Sequence, residues 1–323
     1  MSTTTVLKKP LLTHDQAEDI LGGKKLVFLV GTQRSGTTWL QLLLSQSPAI
    51  ATVPETYLFN QYMRSMVEHW NDDRMTGRPV GLTKLLGDEE FREMLRITSA
   101  FVFAKIAQTK PSATVVLDKT PGHVHYSREI LELWPDAHFV HIIRDPRSVA
   151  ASMRAASKSW ASEWASPEAW KNCGKWVVDV SAGRQIRSAT PNYHELTYEQ
   201  LSAGGDNVLM RLFAELGIPS SMDDCKRYFD ECNIENLKQK QLPVPKGFFR
   251  SGRTDSWRAE LSAWEIALIE RLAGPLMLEL GFKPVIDNKI MSAVVDKACT
   301  AREVARAAKR RLRNFLEQPS RNP

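Results

Sequence analysis

Cysteine is scarce in this 323-residue chain, and its four copies, Cys173, Cys225, Cys232 and Cys299, lie far apart. None stands in a CxxC pair or beside clustered histidines, which excludes a zinc knuckle or a dithiol redox motif and reads as reduced, buried thiols. Long apolar runs are lacking too. A membrane-spanning helix needs about 20 apolar residues, whereas the strongest run near the N-terminus is only Leu26–Val30, and Met1 to Leu12 has no signal-peptide core. A cytoplasmic protein without a membrane span is expected. Nor is there much charge of one sign: 43 Lys and Arg against 37 Asp and Glu leave +6, too small an excess to indicate nucleic-acid binding. Part of that excess belongs to Lys309, Arg310, Arg311 and Arg313 near the C-terminus. No internal repeat or low-complexity tract interrupts the chain.

What is present is an ordinary globular balance, 43% hydrophobic and 25% charged, enough for one large α/β domain or two small ones. Leu26-Val-Phe-Leu-Val30 is a β-rich apolar run stopped by Gly31, which predicts a buried parallel strand followed by a helix through Trp39–Leu44. Helical spacing predicts a second helix over Tyr57–Trp70. Asn71–Leu82, with Gly77, Pro79 and Gly81, reads as a loop and a candidate lid. Thr114–Leu117, Phe139–Ile143 and Tyr193–Thr197 read as strands, Val124–Leu133 as a helix, and Pro146 as the first residue of a helix through Val149 and Met153. Alternating strands and helices predict an α/β fold of three layers, a central parallel sheet with helices on both faces, because parallel strands need crossover connections. From Asp287 the composition turns to Ala, Val, Lys and Arg, which predicts a terminal amphipathic helix.

Gly31-Thr-Gln-Arg-Ser-Gly36-Thr37-Thr38 has G-x-x-x-x-G spacing directly after a strand, the context of a phosphate-binding P-loop. Backbone N–H groups and the N-terminus of the following helix both favour an anion there. A tight structural turn is the other reading of the same spacing. The loop lacks the Lys that reaches β- and γ-phosphates in triphosphate enzymes; Thr37 stands in its place, and the loop's one cation is Arg34. The donor is therefore expected to be something other than a triphosphate.

Arg34-Ser35-Gly36-Thr37-Thr38-Trp39 resembles the 5′-phosphosulfate loop of sulfotransferases that use 3′-phosphoadenosine 5′-phosphosulfate (PAPS). The resemblance implies that Arg34, Ser35, Gly36, Thr37 and Thr38 hold the 5′-phosphosulfate and that Trp39 stacks on or near the adenine. It further implies a 3′-phosphate site from Arg144 and Ser152, an Arg leaving a strand and a Ser eight residues later. Tyr198-Glu199-Gln200-Leu201 is similar to a family Tyr-Glu-Asp-Leu segment. Arg250-Ser251-Gly252, followed by Trp257, is similar to the late Arg-Lys-Gly loop, with Ser251 replacing Lys. These matches run in the family's order from about Lys25 to about Phe282. They imply an N-terminal arm over 1–24, a sulfotransferase domain over 25–286 and a basic helical tail over 287–323.

By the same resemblance Lys119, in Asp118-Lys119-Thr120-Pro121, stabilises the transferring sulfuryl group. In cytosolic small-molecule members the Lys-Thr pair is followed by the catalytic His, but Pro121 occupies that position here. Two candidates for the base remain. Glu55, in Val53-Pro54-Glu55-Thr56, is preferred, because bacterial, tyrosyl-protein and carbohydrate members place a Glu soon after the loop helix; His123 is the other. Fixed Arg and Lys side chains then serve where kinases use magnesium, and no metal is expected. A non-catalytic nucleotide-binding module and a small-metabolite kinase are the competing readings. The acceptor, a small molecule, a carbohydrate or a lipid, is expected to bind between Tyr57 and Ala107. The basic tail is a candidate for peripheral membrane contact or for a homodimer contact.

Overall fold

The computed structural model describes residues 12–77, 79–240, 242, 244–250 and 252–286. Ser251 and the tail from Asp287 onward thus lie outside the described residues. In chain order the first elements are α1 (His14–Leu21), β1 (Lys25–Val30), α2 (Thr37–Ser45) and β2 (Ile50–Val53). A π-helical turn (Leu58–Met63) leads into α3 (Arg64–Thr76), and α4 (Asp88–Ala107) precedes β3 (Val115–Asp118). A 3-10 turn (Pro121–His125), α5 (Ser127–Leu133), β4 (His138–Ile143), α6 (Pro146–Ser157), α7 (Ala169–Ala189) and β5 (Tyr193–Thr197) follow. The chain continues through α8 (Tyr198–Glu215), α9 (Met222–Glu231), α10 (Ile234–Gln239), α11 (Trp257–Glu260) and α12 (Ala263–Glu279).

The described residues divide into two compact units, one running to Arg144 and resuming over Val178–Gly252, the other comprising Asp145–Val177 and the residues from Arg253. The first holds a five-stranded parallel sheet in the order β2-β3-β1-β4-β5. β1 lies at its centre, paired with β3 from Lys25↔Val115 and with β4 from Val27↔His138. Its apolar run is buried from Leu26 to Val30, as a strand covered on both faces must be. On one face Phe28 and Phe139 of the sheet pack with Phe59 of the π-helical turn and Phe103 of α4, in a cluster that α3 and α5 also join. The other packs Leu29, Ile142 and Leu196 against α2, α8 and α9. The expected α/β class with a central parallel sheet is what the chain forms.

Local differences separate expectation from structure: the helix expected over Val124–Leu133 opens in the 3-10 turn, breaks at Tyr126, and runs as α5 only from Ser127. The segment expected as one helix from Tyr57 begins as the π-helical turn. The expected loop over Asn71–Leu82 starts later, because α3 continues to Thr76 and stops at Gly77, whose φ of 60° ends the helix. Arg74 anchors that last turn by bonding both carboxylate oxygens of Asp88 at 2.6 and 2.5 Å. Finally, β2 adds an edge strand, only four residues long.

The second unit is organised around a buried ion network. Arg147 bonds Asp145 at 2.6 Å and Glu270 at 2.5 Å, and its guanidinium lies 4.1 Å from the ring centre of Trp257. Glu270 accepts in addition from the backbone N–H groups of Val285 and Ile286. Cys173, Cys225 and Cys232 are free and buried. Burial, the larger cause, and Asp145 push the Cys173 thiol up to about 12.

Candidate functional site

Apart from Ser152, the components below belong to the first unit and collect where β1, β2, β3 and β4 end, the side on which open parallel sheets bind ligands. The loop after β1 is shaped by two glycines. Gly31 has φ 148°, and a Cβ there would lie 2.5 Å from the Ile142 carbonyl oxygen; Gly36 has φ 100°, and a Cβ there would lie 2.6 Å from Cδ2 of Tyr198. Both positions therefore demand glycine. Between them Arg34 takes φ 73°, rare for a side-chain-bearing residue. Gly36 caps α2 without a side-chain bond, so the first N–H groups of the helix face outward from a partial positive end. The Ser35 and Thr32 hydroxyls are buried without a hydrogen-bond partner among the described residues.

Three guanidinium groups converge on this loop. Arg34 is held by a 2.7 Å bond to the Phe248 carbonyl and lies 4.4 Å from the Phe248 ring centre. Arg144, directly after β4, lies 4.0 Å from the ring centre of Tyr198 and reaches the Arg34 carbonyl at 3.5 Å. Burial first, then the like charges of Arg144 and Arg250, lowers the Arg34 pKa to about 10. It remains a cation at neutral pH, in a field that a multiply charged anion would relieve. Orphaned hydroxyls, outward N–H groups and three crowded cations fit a phosphorylated ligand with more than one anionic group.

Tyr198 is buried, and its hydroxyl donates to the Gly252 carbonyl at 2.8 Å. Gln200 acts locally: its Oε1 accepts from the Thr197 N–H at 2.9 Å while the Thr197 hydroxyl accepts from the Gln200 N–H, a capping box that starts α8. The Gln therefore does the capping that an acid would do there. Trp39 is 9% exposed, its indole N–H donates to the Cys232 carbonyl at 3.0 Å, and its ring meets Tyr198 and Phe229. Ser152 belongs to the second unit, where it is buried on α6.

Lys119 and Glu55 meet. Lys119 follows β3 and is nearly buried, with Nζ 2.7 Å from Glu55 Oε1 and 3.4 Å from the Thr38 hydroxyl. One ammonium thus joins the phosphate loop to a carboxylate that follows β2. The turn bearing Glu55 is tied to Asp118, 2% exposed, which accepts from the hydroxyls of Thr56 at 2.5 Å and Thr120 at 2.8 Å. Thr120 in turn accepts from the Thr56 N–H at 3.1 Å. His123 is fully buried; its Nε2 accepts from the Phe59 N–H at 3.1 Å, and burial, the leading cause, lowers its pKa. The sequence gives no sign of the part played by Asp118, which ties the turn bearing Glu55 to the chain beside Lys119.

A cavity of about 900 Å³ opens nearby between the chain that follows Glu55 and the chain that follows Lys119. Phe59, Met63, Trp70 and Phe91 form apolar wall, and His125 and Tyr126 add polar groups. His125 is held by a 2.8 Å bond to Asp179. Among the described residues no group of three or more His, Cys, Asp or Glu is placed to hold a metal ion, and no helix is long and apolar enough to cross a membrane.

A strand-to-helix phosphate loop with convergent arginines and a Lys-carboxylate pair at the sheet's ligand-binding end defines a P-loop-type group-transfer fold. Residues 27–224, more than half of the chain, match the profile described as Sulfotransferase family, and the protein belongs to that family. The nodulation protein NoeE of Sinorhizobium fredii (strain NBRC 101917 / NGR234) is 24% identical over 311 residues, covering 86% of this chain and 71% of NoeE. The Mycobacterium bovis protein named omega-hydroxy-beta-dihydromenaquinone-9 sulfotransferase Stf3 is 27% identical over 148 residues, 43% of this chain and 35% of Stf3. This chain also spans only 43% of the length of a putative protein-tyrosine sulfotransferase of Caenorhabditis briggsae, to which it is 28% identical over 130 residues. Among solved structures, mouse sulfotransferase SULT7A1 complexed with PAP has a TM-score of 0.54 at 14% identity, covering 88% of this chain and 94% of that one.

Proposed function

We propose that this protein transfers the sulfuryl group of PAPS to a hydroxyl of a small-molecule acceptor, with Glu55 as the base. The observation that carries the reading is the 2.7 Å Lys119–Glu55 pair joined to the phosphate loop through Thr38, which puts a carboxylate and a cation together beside an anion cradle. The donor, when bound, supplies the sulfuryl group and a phosphate leaving group on which negative charge grows.

Arg34, Ser35, Gly36, Thr37 and Thr38 bind its 5′ end, the arginine and the helix N-terminus meeting that charge. Arg144, Tyr198, Arg250 and Gly252 belong to the binding set as positions around the 3′-phosphate, where a planar guanidinium offers paired donors. Trp39, its N–H bonded to the Cys232 carbonyl and its ring against Tyr198, keeps its implied place near the adenine. Ser152 and Ser251 keep the roles that the family resemblance implies. Lys119 steadies the sulfuryl oxygens, and Glu55 takes the acceptor proton at a carboxylate oxygen.

Two facts support Glu55 over His123. Glu55 is partly exposed at the Lys119 pair, whereas the one ring nitrogen of His123 with a bonded partner is spent on the Phe59 N–H in the core. The aromatic-walled cavity beside these segments is the acceptor site in this reading. Transfer of labelled sulfate from PAPS to a panel of phenols, sugars and lipids tests it. Glu55→Gln is expected to lose about 100-fold or more of kcat, the scale of a positioned base. Near-full turnover in Glu55→Gln together with a dead but folded His123→Ala overturns the assignment.

A further inference from the structure

The turn that follows Lys119 carries His123 and His125, and the two rings face different surroundings. His123 is spent in the core, whereas His125 lines the cavity with 35% of its side chain exposed. Its Nε2 lies 2.8 Å from Oδ1 of Asp179, a carboxylate on α7 that is 2% exposed and lies behind the cavity wall. Among the described residues its Nδ1 makes no hydrogen bond, so that edge of the ring is the one left for the cavity. A carboxylate at one nitrogen of an imidazole fixes both the ring's place and its tautomer, because it takes the proton on its own side. The opposite nitrogen of a neutral ring held in this way keeps its lone pair and accepts a hydrogen bond.

The rest of the wall says what kind of molecule fits. Its apolar part is aromatic, with the Trp70 and Phe91 rings stacked 4.1 Å apart. Arginines and carboxylates of the lining are equal in number, and most pair with each other: Arg64 with Glu68, Arg74 with Asp88, Arg128 with Glu132. No surplus cation remains to receive an acidic acceptor, and no surplus carboxylate to receive an amine. The wall is also tied to the reacting groups. The Phe59 N–H donates to His123, and the Thr56 N–H donates to Thr120, so the chain after Glu55 and the chain after Lys119 are bonded together along the cavity's edge.

We propose that His125, aimed by Asp179, sets acceptor specificity: its Nδ1 accepts a hydrogen bond from a second hydroxyl on an uncharged, mainly apolar acceptor. The proposal rests on the reading of this cavity as the acceptor site. One hydroxyl proton cannot go to both Glu55 and His125, so the hydroxyl that His125 reads is a different one from the hydroxyl that is sulfated. Asp179 is a positioning residue, acting through the imidazole. An analogue without the second hydroxyl leaves the imidazole unpaired. Because His125 is partly exposed, water satisfies it in that case, and the discrimination expected is about tenfold rather than the roughly 10,000-fold of a sealed site.

Transfer of labelled sulfate from PAPS to matched phenols tests this, with 2-naphthol set against the dihydroxynaphthalenes and 4-phenylphenol against 4,4′-biphenol. Per hydroxyl, kcat/KM should be about tenfold higher for at least one dihydroxy partner; a flat wild-type series overturns the proposal. His125→Phe should bring that ratio to about one, whatever it does to the rates themselves, and Asp179→Asn should lower it because the ring loses its fixed tautomer. A ratio kept in His125→Phe overturns the proposal. So does a His125→Phe protein that is inactive with every phenol yet still stabilised by adenosine 3′,5′-bisphosphate, since His125 would then serve the chemistry and not the choice. The anionic 6-hydroxy-2-naphthoate should be a poorer acceptor than 2-naphthol, and a better one overturns the uncharged class. Protein labelled with 15N at histidine and loaded with the bisphosphate reads the contact without turnover. The Nδ1 resonance of His125, assigned by its loss in His125→Gln, should move with the preferred dihydroxy phenol and not with its monohydroxy partner. Sulfate transfer with an unmoved resonance overturns the role of His125 alone. A moved resonance without sulfate transfer to any phenol keeps the acceptor site and overturns sulfuryl transfer.

Discussion

Arg34 and Arg144 illustrate how single side chains are tuned for an anion. Each packs its guanidinium on an aromatic face, Phe248 for Arg34 and Tyr198 for Arg144, which fixes the fork without neutralising it. Burial first, then crowding by Arg144 and Arg250, raises the cost of holding Arg34 charged, and a bound polyanion offsets the crowding. Removing one such cation should therefore weaken the ligand more than the fold. Arg144→Ala is expected to raise the Kd for adenosine 3′,5′-bisphosphate by about 10- to 100-fold, the worth of a hydrogen bond to a charged group, as read by calorimetry. Much at this scale was legible in the sequence. Arg34, Lys119 and Arg144 stand at or just after strand ends, and strand ends announce themselves as apolar runs broken by glycine or charge; Glu55 follows a strand the sequence does not mark and was reached through the family resemblance alone. Asp118 was not legible. Its carboxylate looks like a surface charge until Thr56 and Thr120 are seen bonding to it.

Among the elements, the turn from β1 to α2 is the most constrained. Gly36 has a positive φ and faces the Tyr198 ring, so a Cβ would meet both a backbone penalty and a clash. Gly36→Ala should displace Tyr198 or the loop. The expected outcome is a stability loss of about 1–3 kcal/mol, the usual range for strain or overpacking, together with loss of bisphosphate binding; urea denaturation and calorimetry check the two parts. Elements marked by composition were readable: β1 is a continuous apolar run, β4 is largely one, β5 is framed by the β-prone Tyr193 and Thr197, and Pro146 opens α6. β2 was not, because four residues after Pro48 carry too little pattern to separate a strand from a loop. The end of α3 was misjudged for a different reason. Polar residues over 71–76 look like a loop, yet the Arg74–Asp88 bond made later in the chain holds them helical.

For the whole molecule, buried imidazoles set a pH dependence. His141 on β4 is fully buried, and burial, its largest cause, lowers its pKa to about 3. A histidine whose folded pKa is depressed stays neutral while the unfolded chain takes up a proton. Its contribution is therefore complete above about pH 6.5, the unfolded value, and is lost as pH falls from there toward the folded value. The slope for one such group is about 1.4 kcal/mol per pH unit. Urea denaturation should show roughly 2 kcal/mol less stability at pH 5 than at pH 7 from this residue. His141→Phe should flatten that slope whatever it does to stability at pH 7, and an unchanged slope would show that His141 does not carry it.

In the proposed function the loop from Gly31 to Thr38 takes a 3′-phosphorylated nucleotide sulfate and not a nucleoside triphosphate. Thermal unfolding with each nucleotide tests it most directly, since a ligand that binds only the folded state adds about 2.7 kcal/mol at one hundred times its Kd. Adenosine 3′,5′-bisphosphate is predicted to raise Tm in the wild type and to do so far less in Arg144→Ala, with ATP plus magnesium giving little shift. Stabilisation by ATP plus magnesium with none from the bisphosphate would show that the loop is a triphosphate site instead.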